Sequence, residues 1–348
     1  MKVAPLIEAL RDIPGISQVL VNTGQHYDET MAKVFFKDLA LPEPDRDLGV
    51  GSGSHAAQTA KVMTAFEEVC LEEHPDLVVV VGDVNSTLAA ALVAAKLLIP
   101  PAHVEAGLRS FDRTMPEEVN RVVTDQLADI LLTPSAEASE NLLREGIPPA
   151  RIHLVGNIMI DTLLRYLPEA QFDRIRGRFP LREHEYAVLT LHRPSNVDRP
   201  ETFLSIAEAV KKISDTIPVV FPMHPRTRAR ITEFGLDPWL EGVILTEPLG
   251  YLDFLSLMAH ARVVLTDSGG LQEETTVLGI PCLTLRDNTE RPITLTQGTN
   301  RLVGTATANI LSGFYQALAA DSDRRVPELW DGRTSVRIAR LFQTLLSP

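Results

Sequence analysis

The chain has 348 residues, 45% of them hydrophobic, with 46 acidic against 33 basic side chains and a net charge of −13 at pH 7. That length suggests about two ordinary domains, and the acidic balance argues against a nucleic-acid binder, which would need a basic face. No apolar run approaches the ~20 residues of a membrane span.

Met1 and Lys2 are followed by no signal-peptide pattern. Two distant cysteines, Cys70 and Cys282, match no metal or redox spacing and read as small buried hydrophobes in a reducing cytoplasm. In chain order, APLIEALRDIPG reads as a helix, with Pro5 near its start and Gly15 after its end. A doubly wound domain has a strand before that helix, so the first strand is expected to be missing. SQVLVNTG, DLVVVVGD, IPPAHVEAG, DILLTPS and RIHLVGN then read as strands, followed by YAVLTLHR, PVVFPMHP, GVILTEP, RVVLTDSG and IPCLTLRD. Amphipathic segments such as AAQTAKVMTAFEEVC, STLAAALVAAKLL and LSIAEAVKKI fall among them. The alternation predicts an α/β fold with parallel sheets buried on both faces. A charged, low-apolar stretch near 168–184 marks the boundary, giving domains 1–168 and 169–330 with a closing segment 331–348.

The chemistry-bearing residues cluster at predicted strand ends, the ligand edge of an open α/β sheet. VNTGQHYDE places Gln25 and His26 there. In GDVNST, Asp83 is either a turn residue or a catalytic carboxylate, and Asn85 or Ser86 is a candidate helix cap. HVEAGLRS and PEEVNR bring Glu105 and Arg109 near Glu117, Glu118 and Arg121, a set suited to acid/base work on an anionic substrate. LHRP and HPRT add His192 and His224. In TDSGGLQEE, Ser268, Gly269 and Gly270 open a helix whose free N–H groups suit a phosphate, and Glu274 could accept from ribose hydroxyls. DNTERP follows the next strand, so Arg286 and Arg291 are placed to pair with a diphosphate. His74, His153 and His184 read as packing or surface residues, and no HExxH or paired CxxC spacing predicts zinc.

Together TGQH, GDVNST, HVEAGLRS, PEEVNR, LHRPSNVD, HPRT, DSGGLQEE, DNTERP and GTNRLVG resemble the non-hydrolysing UDP-N-acetylglucosamine 2-epimerases, in the family's order over residues 23–304. The resemblance implies two Rossmann-like domains in a B-type glycosyltransferase arrangement, a C-terminal helix packing back on the first domain, a homodimer, and a role in cell-surface polysaccharide biosynthesis. It implies reversible conversion of UDP-GlcNAc to UDP-ManNAc without metal or other cofactor. By the same resemblance, Asp83, Glu105, Glu117, Arg121 and His192 match the catalytic set. Ser268, Gly269, Gly270, Glu274 and Arg291 match the UDP-binding set, with Phe254 near uracil. Gln25 and His224 match a candidate regulatory site, although no arginine lies between residues 47 and 60, where some bacterial members carry one. The family's opening strand and Gly-Thr-Arg-Pro-Glu turn have no counterpart here.

A sister epimerase of UDP-2,3-diacetamido-uronic acid shares most of these motifs. A retaining glycosyltransferase is the rival from another class, and the carboxylate cluster speaks against it. A non-catalytic nucleotide-sugar binder would hold UDP without turnover, and a hydrolytic epimerase would release free ManNAc.

Overall fold

Runs of branched aliphatic residues become parallel strands in a computed structural model that describes residues 1–24, 39, 41–319 and 325–346. Gln25 and His26 therefore lie outside the described residues. The chain divides into two compact units, one of Met1–Thr162 with Glu328–Pro348 and one of Leu163–Pro327. This division falls within helix Ile158–Tyr166, a few residues ahead of the charged stretch that suggested a boundary near 168.

In the first unit, helix Ala4–Arg11 is the first element described. The strands are β1 (Val21–Asn22), β2 (Arg46–Asp47), β3 (Val78–Val81), β4 (Pro101–Val104), β5 (Ile130–Thr133) and β6 (Ile152–Leu154). β3, β4, β5 and β6 pair in that order and all in parallel, while β1 and β2 form a separate parallel pair. Among the described residues the two pieces are separate sheets, yet Val21 packs on the same cluster as Val78 and Val80. All four residues of β4 are buried, which is why its run carries no polar alternation. Helix Thr334–Leu346 belongs to this unit, and its Ile338 and Phe342 pack against Leu6 and Leu10 of the first helix.

The second unit carries β7 (Ala187–Thr190), β8 (Val219–Pro222), β9 (Ile244–Thr246), β10 (Val263–Thr266), β11 (Cys282–Thr284) and β12 (Asn300–Leu302). Their order in space is β12-β11-β10-β7-β8-β9, again all parallel. The chain steps outward from β7 to β9, returns to place β10 beside β7, and steps outward the other way. This is the doubly wound order, and its reversal between β7 and β10 opens a crevice at their C-terminal ends. Leu189, Phe221, Leu265 and Leu283 form the buried middle under helix Pro200–Ser214 and Phe314. Cys70 and Cys282 are both buried and unpaired, and burial pushes the Cys282 thiol up to about 12. Among the described residues no helix is long and apolar enough to cross a membrane.

Candidate active site

In the first unit the ends of β3 and β4 carry the carboxylates. Asp83 follows Gly82 just past β3, and its Oδ2 accepts from Arg121 Nη2 at 2.5 Å. Glu105 follows β4 with a backbone φ of +75°, in the left-handed region that a residue with a Cβ rarely adopts. Such a conformation costs about 1–3 kcal/mol and persists only where surrounding contacts impose it. Two residues on, Gly107 is also left-handed, and a Cβ there would meet the Ala138 carbonyl oxygen at 2.3 Å. Only glycine lets the chain pass. Glu105 is 8% exposed and forms an ion pair with Lys2 Nζ.

Helix Pro116–Leu127 opens with proline at its first turn and two glutamates where the helix dipole favours negative charge. The two glutamates face different ways because adjacent helical residues are about 100° apart. Glu118 is buried and structural: it accepts from Ser110 N at 2.9 Å, Ser110 Oγ at 3.0 Å and Phe111 N at 2.9 Å, and it pairs with Arg121. Glu117 is only partly buried. Arg121, itself 2% exposed, thus bridges Glu118 and Asp83. The cap expected from Asn85 or Ser86 is not formed, since Val84 occupies that position without a side-chain bond. Asn85 instead donates to Gln58 at 2.7 Å and accepts from Asn120 at 3.2 Å, and Asn120 also donates to the Asp83 carbonyl at 2.9 Å.

In the second unit the crevice between β7 and β10 holds His192 and Asp267. Asp267 is fully buried, accepts from the backbone N–H groups of His192 and Arg193 at 3.0 and 2.9 Å, and faces His192 Nδ1 at 2.8 Å. Burial would raise this carboxyl, but the His192 hydrogen bond and charge and the two backbone donors hold it below its ordinary value. His192 is thereby oriented, with half its side chain exposed. Ser268 is the N-cap of helix Gly269–Leu278 but makes no cap bond to it, which leaves the first-turn donors for an anion.

Three arginines crowd the same helix start. Arg291 Nε lies 2.9 Å from Glu273, Arg291 Nη1 lies 2.5 Å from Glu290, and Arg286 and Arg193 reach Glu290 at 2.9 and 3.7 Å. Burial opposes ionisation of Glu290, yet the charges of Arg291, Arg286 and Arg193 hold its carboxyl far below the usual range. A Cβ on Gly269 would lie 2.3 Å from Arg291 Nη1, so glycine is what admits the guanidinium to the helix start. Gly270 follows, partly buried. Glu274 is different. Burial, and then the Glu273 charge, push it up to about 8, and its Oε1 has no hydrogen-bond partner among the described residues. Phe254 is partly buried on helix Tyr251–Ala259.

His224 is exposed, and its Nδ1 caps helix Pro225–Glu233 by accepting from Arg226 N at 3.2 Å. Among the described residues, Glu183, His184 and His260 form a group with ligand atoms within 4.8 Å of one another. His260 Nδ1 already faces Glu183 at 2.6 Å and its Nε2 faces the Ala170 carbonyl at 3.0 Å, so hydrogen bonds account for that contact. Sequence reasoning missed Lys2, which lies in no motif, and passed over Asp267 and Glu290 inside TDSGGLQEE and DNTERP, because only their partners reveal what they do.

A family model described as UDP-N-acetylglucosamine 2-epimerase matches residues 8–343. The chain belongs to the UDP-N-acetylglucosamine 2-epimerase family. It is 44% identical over 350 residues to the UDP-N-acetylglucosamine 2-epimerase of Methanocaldococcus jannaschii, covering 98% of this chain and 95% of that one. It is 40% identical over 351 residues to the UDP-2,3-diacetamido-2,3-dideoxy-D-glucuronate 2-epimerase of Pseudomonas aeruginosa, covering 99% and 96%. The crystal structure of the M. jannaschii epimerase in complex with UDP-GlcNAc and UDP superposes with a TM-score of 0.92 over 99% of this chain and 96% of that one, at 44% identity. The two Rossmann-like α/β units are those of this epimerase family.

Proposed function

We propose that this epimerase-family protein interconverts UDP-N-acetylglucosamine and UDP-N-acetylmannosamine. The proton on carbon 2 has no adjacent carbonyl, so simple abstraction would leave an unstabilised carbanion. Anti elimination avoids it: a base takes the carbon-2 proton while the anomeric C–O bond breaks, and UDP leaves with the bonding electrons. The products, 2-acetamidoglucal and UDP, stay bound. UDP then adds back as an acid delivers a proton to the opposite face. No electrons are gained or lost overall, and no cofactor is invoked.

Asp83, Glu105 and Glu117 of the first unit are the acid/base candidates, with Arg121 bonded to Asp83; His192 of the second unit is the remaining candidate of the catalytic set. Ser268, Gly269, Gly270, Glu274 and Arg291 hold UDP, and Phe254 lies against uracil. The observation that carries this reading is Glu105, a nearly buried carboxylate in imposed left-handed backbone, in a chain of this family. Such strain concentrates at functional positions. Glu105→Gln and Glu117→Gln should each lower epimerisation by about a thousandfold or more while UDP affinity stays within about twofold. Unchanged rates in both variants would contradict the assignment.

A second sugar is favoured by the P. aeruginosa relative, whose name specifies a diacetamido-glucuronate. The ratio of kcat/KM for the two UDP-sugars decides between them. The reading extends to a cytoplasmic homodimer that supplies UDP-ManNAc for cell-surface polysaccharide. Val119 and Val123, one turn apart on helix Pro116–Leu127, are 39% and 37% exposed and offer an apolar strip for a second copy. The reading also keeps His224 as a candidate for a regulatory UDP-GlcNAc site, through its exposed imidazole.

A further inference from the structure

One buried imidazole touches every chain segment that carries a candidate carboxylate. His103 lies on β4, two residues ahead of Glu105, and is fully buried. Its Nδ1 is 2.6 Å from Asp125 Oδ1, and its Nε2 is 2.8 Å from the Gly82 carbonyl oxygen. Both neighbours are acceptors, so both ring nitrogens carry protons and the ring is an imidazolium. Burial disfavours that charge, but the Asp125 carboxylate and the two hydrogen bonds outweigh it and keep the ring more basic than usual. Burial would likewise raise Asp125, and the charges of His103 and Arg109 bring it below its ordinary value instead.

The partners are not arbitrary. Gly82 immediately precedes Asp83. Asp125 lies on helix Pro116–Leu127, which also carries Glu117 and Arg121. Asp125 Oδ2 also accepts from Gly107 N at 3.1 Å and from Arg109 Nη1 at 2.7 Å. Glu145 holds Arg109 from the other side at 2.7 and 2.6 Å. Glu105 is therefore flanked on both sides by residues bonded to one carboxylate. A buried ion pair adds little net stability over apolar packing of the same volume. Its hydrogen bonds are directional, however, and fix the register of the elements they join.

We propose that the His103–Asp125 pair is a positioning dyad: it sets the spacing of the Asp83, Glu105 and Glu117 segments and holds the left-handed backbone at Glu105 without touching substrate. This rests on the carboxylate reading above. Two variants test it in the full chain. Asp125→Asn keeps the shape and removes the charge, and Glu145→Gln loosens the outer, part-exposed end of the network. Asp125→Asn should lower kcat about 100-fold and Glu145→Gln about fivefold, with KM for UDP-GlcNAc and UDP affinity within about twofold of the unsubstituted protein. A full kcat in either folded variant, or a kcat loss matched by loss of UDP binding, would overturn the proposal. Should Asp125→Asn fail to fold, Glu145→Gln decides alone. Imidazole 15N spectra supply a readout independent of turnover: His103 should still be protonated at both nitrogens just above pH 6.5, where an ordinary histidine has lost more than half of its charge, and a neutral ring there would overturn the dyad. An inactive unsubstituted protein with a doubly protonated His103 would instead count against the functional reading alone.

Discussion

At the scale of single residues, burial and charge separate groups that look equivalent in the sequence. Glu273 and Glu274 are neighbours, yet Glu273 meets Arg291, while Glu274 meets no cation among the described residues and is pushed up to about 8 by burial and the Glu273 charge. The linkage has a definite sign. The folded chain keeps the Glu274 proton after the unfolded chain has lost it, so this group lowers folded stability as pH climbs from 4.5 to about 8. Glu274→Gln should therefore match the unsubstituted, ligand-free protein near pH 4.5 and melt at least about 2 °C higher at pH 8.5. Calorimetry across that range checks this, and a pH-independent difference would contradict it. The same variant should bind UDP more weakly if Glu274 meets the ribose. Glu117 and Glu118 make the parallel case. The PEEVNR motif marks both, but only the phase of the helix turns Glu118 into the loop at Ser110 and Phe111. Sequence alone could not assign that phase, nor could it see that Lys2 pairs with Glu105.

At the scale of elements, the strands that were legible are those with runs of valine, isoleucine and leucine, because a strand buried on both faces needs such a run. β2 and β12 were not legible: Arg46–Asp47 and Asn300–Leu302 are short, largely polar and at sheet edges, where one side faces solvent. The helices near 55–73, 85–96 and 200–214 were legible from their apolar spacing, and the one at 334–346 only through the family resemblance. The last of these carries a prediction. Phe342 is 1% exposed and seats helix Thr334–Leu346 against Leu6 and Leu10. Phe342→Ala should destabilise the first unit by about 3–5 kcal/mol through lost burial and the cavity left behind. Urea unfolding followed by a probe in that unit measures it, and a change under about 1 kcal/mol would mean that the helix is not anchored there.

At the scale of the whole molecule, 46 acidic and 33 basic side chains give a strongly negative chain, yet Arg193, Arg286 and Arg291 gather at one helix start. Under the proposed function, local cations rather than net charge are what the UDP diphosphate would meet. A homodimer would bury Val119 and Val123, so replacing both with glutamate should yield a monomer in light scattering, whereas an unchanged mass would move the interface elsewhere. The central claim is the elimination chemistry, and carbon 2 reports it directly. Proton NMR of the protein with UDP-GlcNAc in deuterated water is the deciding measurement. UDP-ManNAc should appear with deuterium at carbon 2, and the UDP-GlcNAc pool should exchange as the reaction reverses. UDP binding without exchange or product would contradict the account, and UDP-ManNAc that retains its carbon-2 proton would contradict the elimination.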